Sequence, residues 1–318
     1  MIAAASLAVQ GDSPATLLSA LGSLGVLVLA APLIPGVATK TRAILTGRRG
    51  APVLQLYADL RKLTRKGATY STTTTWAFRL APVAVVGTTL LASAIVPLDG
   101  RRALVSFSGD AVAFAYLLGL GRFLLALGAL DTGSSFEGMG TSRDVSFASL
   151  IEPGLFVALV ALSVATHQLS LTGMFGAELW QRWPVVAPTV ILLAVSLFIL
   201  MLAECARVPV DDPATHLELT MIHEVMVLDH SGPDLALILY ANALKMGVFT
   251  ALTLDLVVPR ASLGAWGSVA ILVVAMIASG VAVGIVESSM ARLRMPKVPL
   301  FIAGGTALGL FGLILLLQ

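Results

Sequence analysis

The stretch VVAPTVILLAVSLFILMLAECA, residues 185–206, decides the fold. Residues 185–203 pass without a single charge before Glu204. A helix of that length covers roughly 28 Å, close to the ~30 Å of bilayer hydrocarbon. Comparable runs fall at 17–38, 76–98, 110–131, 148–170, 234–258, 265–288 and 297–317. Backbone groups in lipid must be satisfied within their own segment, so each run reads as a helix. The expectation is an all-α, polytopic membrane helix bundle of about eight transmembrane helices. It forms one domain over 1–318, with amphipathic and acidic helices in its loops.

Composition agrees. The 318 residues are 57% hydrophobic and only 12% charged, about half the charge of a soluble domain. Mean hydropathy is +0.93. An ordinary cytosolic enzyme and a disordered chain are both excluded. The one cysteine, Cys205, allows no intramolecular disulfide, iron–sulfur centre or structural zinc site, and reads as a packing residue. Any redox cofactor therefore belongs to a partner. The first ten residues carry no Lys or Arg and lack a signal peptide's charged start. No internal repeat marks an inverted-repeat transporter.

Loop charge sets the expected orientation. The first loop holds Lys40, Arg42, Arg48, Arg49, Arg61, Lys62, Arg65 and Lys66. Arg143, Arg207, Arg292, Arg294 and Lys297 fall on the same side. The opposite side has only Arg101, Arg102, Arg182 and Arg260. This puts the first loop in the cytoplasm and both termini outside the cell (plasma or inner) membrane. Within that loop, Val53, Leu54, Leu56, Tyr57, Leu60 and Leu63 recur at helical spacing beside Arg61, Lys62, Arg65 and Lys66. Such a basic amphipathic segment lies along lipid headgroups or forms a docking surface for a soluble partner.

Residues 207–234 are the opposite in charge. Asp211, Asp212, Glu218, Glu224, Asp229 and Asp234 face Arg207 alone. Asp212 and Pro213 suit a helix start, and Gly232 and Pro233 a stop. On one helix, His216, His223 and His230 share a face, while Leu217, Met221, Glu224 and Leu228 share another. Seven residues span ~10 Å, too far for two of these imidazoles to meet at one ion. No metal site is expected. The loop is a solvated acidic helix, or an element that exchanges protons or meets a partner.

Ionisable residues inside spans are costly and point to function. Asp131, Glu152, Glu204 and Glu287 fall near the inner ends of their spans and could form a polar funnel, or stand in water at the interface. Arg122 and Lys245 lie deeper and each needs an anion, a carbonyl or water. Lys245 could relay protons toward Asp255, or simply pin two helices. His167 reads as a packing residue.

These residues carry a family resemblance. ECARVPVDDPATHLELTMIHE (204–224) continues through DHSGPDLA (229–236). It resembles the signature of the membrane anchor subunits of formate hydrogenlyase and hydrogenase-4, homologues of a membrane subunit of respiratory complex I. RRGAPVLQLYADLRKL (48–63), DTGSSFEGMGTSR (131–143) with Glu152-Pro153, and 287–294 agree with other segments of that family. The resemblance implies an eight-helix anchor for a hydrophilic arm. That arm would carry a hydrogenase-like large subunit with a [NiFe] centre and an iron–sulfur small subunit, beside antiporter-like membrane subunits. No cofactor is implied in this chain, and no nucleic-acid partner. The proton path implied, with the intramembrane residues, is Glu204, Glu224, Glu218, Asp211, Asp212, Glu152, Lys245, Arg122 and Glu287. Partner docking falls to Arg48, Arg49, Arg61, Lys62, Arg65, Lys66 and Arg207. His216 and Glu218 follow Asp-Asp-Pro where complex I has a different spacing, so a quinone site is not implied. A complex I-like quinone-site subunit and a purely structural anchor stay open as alternatives, as does an independent transporter.

Overall fold

The protein is described from a computed structural model over residues 14–211, 222–260 and 263–318. Thirteen helices are described: α1 (Pro14–Ala30), α2 (Leu33–Leu45), α3 (Gln55–Thr64), α4 (Trp76–Ile95), α5 (Asp110–Asp131), α6 (Ser135–Thr166), α7 (Leu171–Met174), α8 (Ala177–Gln181), α9 (Trp183–Glu204), α10 (His223–Met226), α11 (Gly232–Val257), α12 (Ala265–Ser289) and α13 (Val298–Leu316). No strand occurs among the described residues. Seven helices are long and apolar enough to cross a membrane: α4, α5, α6, α9, α11, α12, and α13 with its leading turn. The pair α1–α2, bent by 43°, brings the number to eight if it crosses as one span.

Pro32 causes the bend. It has no N–H to offer the Val28 carbonyl one turn back. A carbonyl freed at membrane depth must find another donor. Tyr240 of α11 supplies it, donating its hydroxyl to Val28 O at 2.9 Å. Tyr57 of α3 donates to the neighbouring Leu29 carbonyl. The amphipathic segment of the first loop is thus a real helix, fastened to the break. Leu56, Tyr57, Leu60 and Leu63 are half-buried, while Arg61 and Lys62 are exposed.

Close approach between helices relies on small residues. A side chain at Gly280 or Gly284 of α12 would run into the Ile34 and Ala38 carbonyls of α2, at 2.8 and 2.6 Å. Helix α11 is the most enclosed span and packs against α3, α4, α9 and α12. Its Leu244, Met246, Val248 and Leu252 are buried in the main core with residues of α2, α5, α6 and α9.

Several expectations change at this level. Helix α6 starts at Ser135, well before the apolar run at 148, and spans 32 residues, about 48 Å. Gly232 and Pro233 open α11 rather than close a loop helix. Within the described part of the acidic loop only one turn, α10, is helical. His223 and His230 therefore do not share a helix face. Asp212, Pro213, His216, Leu217, Glu218 and Met221 lie outside the described residues. Asp131 does not join a funnel: it accepts from Thr75 N (2.6 Å), Thr75 Oγ1 (2.8 Å) and Phe78 N (3.3 Å), capping the start of α4. His167 is exposed and closes α6 with a positive φ of 55° instead of packing.

The side opposite the basic loops is stitched by Arg260, which is 1% exposed. It pairs with Asp255 and donates to Leu98 O at 2.7 Å and Pro97 O at 3.3 Å. Asp255 lies ten residues along α11 from Lys245, roughly 15 Å. It is committed to Arg260 and is not a partner of Lys245.

Candidate functional site

Glu204 is the last residue of α9. The helix ends there because Ala206 takes a left-handed turn (φ 48°). Arg207 N then bonds Leu202 O at 2.8 Å, and Ala206 N bonds Ala203 O at 3.2 Å. This double closure satisfies carbonyls at the helix end. Glycine usually holds such a position, and an alanine there costs about 1 kcal/mol. The turn leaves the Glu204 side chain 3% exposed inside the bundle.

Two cations meet it. Arg122 of α5 pairs with Glu204 Oε2. Lys245 of α11 places Nζ 3.3 Å from Oε1. Arg122 also reaches two carboxylates of α6: Glu152 at 3.2 Å and Asp144 at 3.7 Å. Three carboxylates thus face two cations, so the cluster can accept one proton and keep its pairs. Glu204 is the hub: it is all but shut off from water, so its charge depends on both partners. The three helices carrying Arg122, Glu204 and Lys245 are brought level by staggered ends. Lys245 is thirteen residues into α11, yet it meets the final residue of α9.

The cluster lines a small void with Gly121, His223, Ile238 and Asn242. His223, Ile238 and Asn242 also line a larger cavity of about 310 Å³. Asp211, Glu224 and His230 contribute to that cavity. Asn242 is fixed by donating to Cys205 O at 3.3 Å. Asp211 accepts from Ile222 N (3.0 Å) and His223 N (3.3 Å) and pairs with Arg292 at 2.7 Å. Arg207 pairs with Glu287 at 2.7 Å. Burial, followed by the Lys245 charge, holds His223 below its usual pKa. Burial also pushes His230 down to about 4, although Asp234 and Asp229 oppose it.

Of the residues singled out from sequence, Glu204, Arg122, Lys245 and Glu152 come together. Asp211 and Glu224 sit in the adjoining cavity. Glu287 stands apart with Arg207. Arg48, Arg49, Arg61, Lys62, Arg65 and Lys66 are exposed, but Arg207 is only 8% exposed and faces inward. Cys205 is buried at 1%. Asp144 and Asn242 were not anticipated. Asp144 precedes the apolar run, so hydropathy placed it in a loop. Asn242 had one signal, an amide three residues before Lys245 on the same helix face. Among the described residues no His, Cys, Asp and Glu group is arranged to hold a metal ion.

The NADH dehydrogenase family model matches residues 18–316. The chain belongs to the NADH dehydrogenase family. Hydrogenase-4 component C of Escherichia coli is 31% identical over 240 residues, covering 76% of this chain and 75% of that protein. Formate hydrogenlyase subunit 4 of Escherichia coli is 28% identical over 282 residues, covering 86% and 90%. The fold is that of a chain in the structure of the membrane-bound sulfane sulfur reductase, an archaeal respiratory membrane complex. The TM-score is 0.79 at 19% identity, over 95% of this chain and 99% of that one. The protein is a multi-pass membrane subunit of a complex I-like, hydrogenase-4 type respiratory complex.

Proposed function

We propose that this subunit anchors the hydrophilic redox arm of a group-4 [NiFe]-hydrogenase-like complex, of the formate hydrogenlyase type, and passes protons or other cations through its buried carboxylates and lysine. The observation that carries this reading is Glu204, a buried carboxylate shared by Arg122 and Lys245. A carboxylate held between two cations binds a proton more readily when either partner moves away, which is what a coupling element needs. The cavity, lined mostly by apolar side chains but also by Asp211 and Glu224, adjoins the cluster and gives it an approach.

In this reading the [NiFe] centre and the iron–sulfur clusters reside in the hydrogenase-like large subunit and the small subunit. Antiporter-like subunits continue the path in the membrane. The exposed bases Arg48, Arg49, Arg61, Lys62, Arg65 and Lys66 meet the arm on the cytoplasmic side, following the excess of positive charge there. Both termini then lie outside. Glu218 and Asp212 are assigned to the same path by the family resemblance alone. Glu287 and Arg207 lock the loop beside it.

The test is the complex purified from its own membrane and reconstituted in vesicles. Glu204→Gln is expected to leave subunit composition and metal content unchanged while proton movement per electron collapses. Unchanged proton movement would leave a structural anchor in its place.

A further inference from the structure

We propose that His230 is a proton-relay residue, passing protons through water in the 310 Å³ cavity toward Glu204. The inference rests on the ion-conducting reading above and adds a residue and a medium to it.

The His230 ring is 3% exposed and lines the cavity. Both of its nitrogens, Nδ1 and Nε2, are buried without a hydrogen-bond partner among the described residues. Its face stacks on Phe78, centroids 3.9 Å apart and planes 6° from parallel. The stack fixes the ring plane and leaves both nitrogens without a partner among the described residues. A neutral imidazole presents one donor and one acceptor. Leaving both unmatched in an apolar site is costly. Water answers both needs at once. The cavity is large enough to hold several waters, with the carboxylates of Asp211 and Glu224 as further polar partners. His223 and Asn242, which line both voids, mark the way from this cavity to the Arg122–Glu204–Lys245 cluster.

The step is balanced within the ring. A protonated water on one side breaks an O–H bond, leaving neutral water, and its proton forms an N–H bond on the unprotonated nitrogen. The opposite N–H breaks and gives its proton to the next water. The ring ends neutral, in the other tautomer, and a half-turn about Cβ–Cγ, which keeps it parallel to Phe78, swaps the two nitrogens and readies it for the next proton. No oxidant or reductant takes part. The groups facing the ring are Asp229 and Asp234, which favour the transient cation, and the Phe78 ring. A ring that is neutral at working pH always has its acceptor nitrogen available.

The experiment uses the whole complex in vesicles, driven by reduced methyl viologen, with proton uptake read by a pH dye. His230→Phe keeps the stack on Phe78 but removes both nitrogens. Proton uptake is expected to fall about 10–100-fold with the subunits still assembled. His230→Ala leaves a hole of ring size, and added imidazole is expected to restore uptake in this variant alone. Wild-type uptake in His230→Phe, with uptake lost in Glu204→Gln, would overturn the relay and leave the conduction reading intact. Wild-type uptake in both variants would overturn both. If His230→Phe fails to assemble, the imidazole response of His230→Ala decides, and its absence refutes the relay. A high-resolution map of the complex gives a second readout. Ordered water within about 3.5 Å of each ring nitrogen is expected, whereas a protein group on both nitrogens would overturn the proposal.

Discussion

Replacing Glu204 by Gln takes one charge from between two cations, and the consequences for those cations differ. Lys245 sits 3.3 Å from Glu204. At an effective dielectric of about 20, that pair interacts by about 5 kcal/mol before desolvation is counted. Arg122 keeps Asp144 and Glu152 after the change, whereas no second carboxylate is paired with Lys245 among the described residues. Breaking a buried pair by removing one partner costs about 3–5 kcal/mol, and most of it here should come from the stranded lysine. Lys245→Met is milder, about 1–2 kcal/mol, because Glu204 still holds Arg122. The double variant Glu204→Gln with Lys245→Met should therefore be more stable than Glu204→Gln alone, recovering about 2–3 kcal/mol. Reversible unfolding of the purified chain in mixed micelles, titrated with dodecyl sulfate and followed by tryptophan fluorescence, gives the comparison. A double variant whose loss equals the sum of the singles would refute the hub.

Three further outcomes are expected. Asp131→Ala removes the cap from the start of α4 and should cost about 1–2 kcal/mol in the same titration. Gly284→Val drives a side chain into Ala38 O and Thr41 and should cost about 1–3 kcal/mol, whereas Gly304→Val, whose site is open, should be neutral. His230 is held down to about 4, below its ordinary 6.5, so between these values the unfolded chain binds the extra proton. Stability should fall by roughly 2–3 kcal/mol as pH drops from about 6.5 to about 4. Thermal unfolding against pH should show a shallower slope for His230→Phe, and equal slopes would contradict the burial.

The spans were legible because hydrocarbon thickness imposes one length on every apolar run. What hydropathy could not mark was polar helix. Ser135–Thr166 is continuous, but its first thirteen residues read as loop, and Asp144 went with them. The need of Arg122 and Lys245 for an anion was plain from their depth. The identity of that anion was not, since Glu204 lies 82 and 41 residues away along the chain. Only the stagger of the helix ends brings the three to one level. The histidine spacing misled because it assumed a helix through 213–231, whereas Gly232 and Pro233 start α11. Pro32 carried the signal for the broken first span, but a run of hydrophobic residues on both sides hid it.

That break has a mechanical consequence. The carbonyls released at Val28 and Leu29 are held by tyrosines from two different elements, one in the central α11 and one in the surface helix α3. Helix α3 is therefore fastened directly to the joint of the bent pair α1–α2. A pull on its exposed Arg61 and Lys62 would reach, through Tyr57, a point where the helix ladder is already open. Across that joint, through Tyr240, the same pull would reach the helix that carries Lys245.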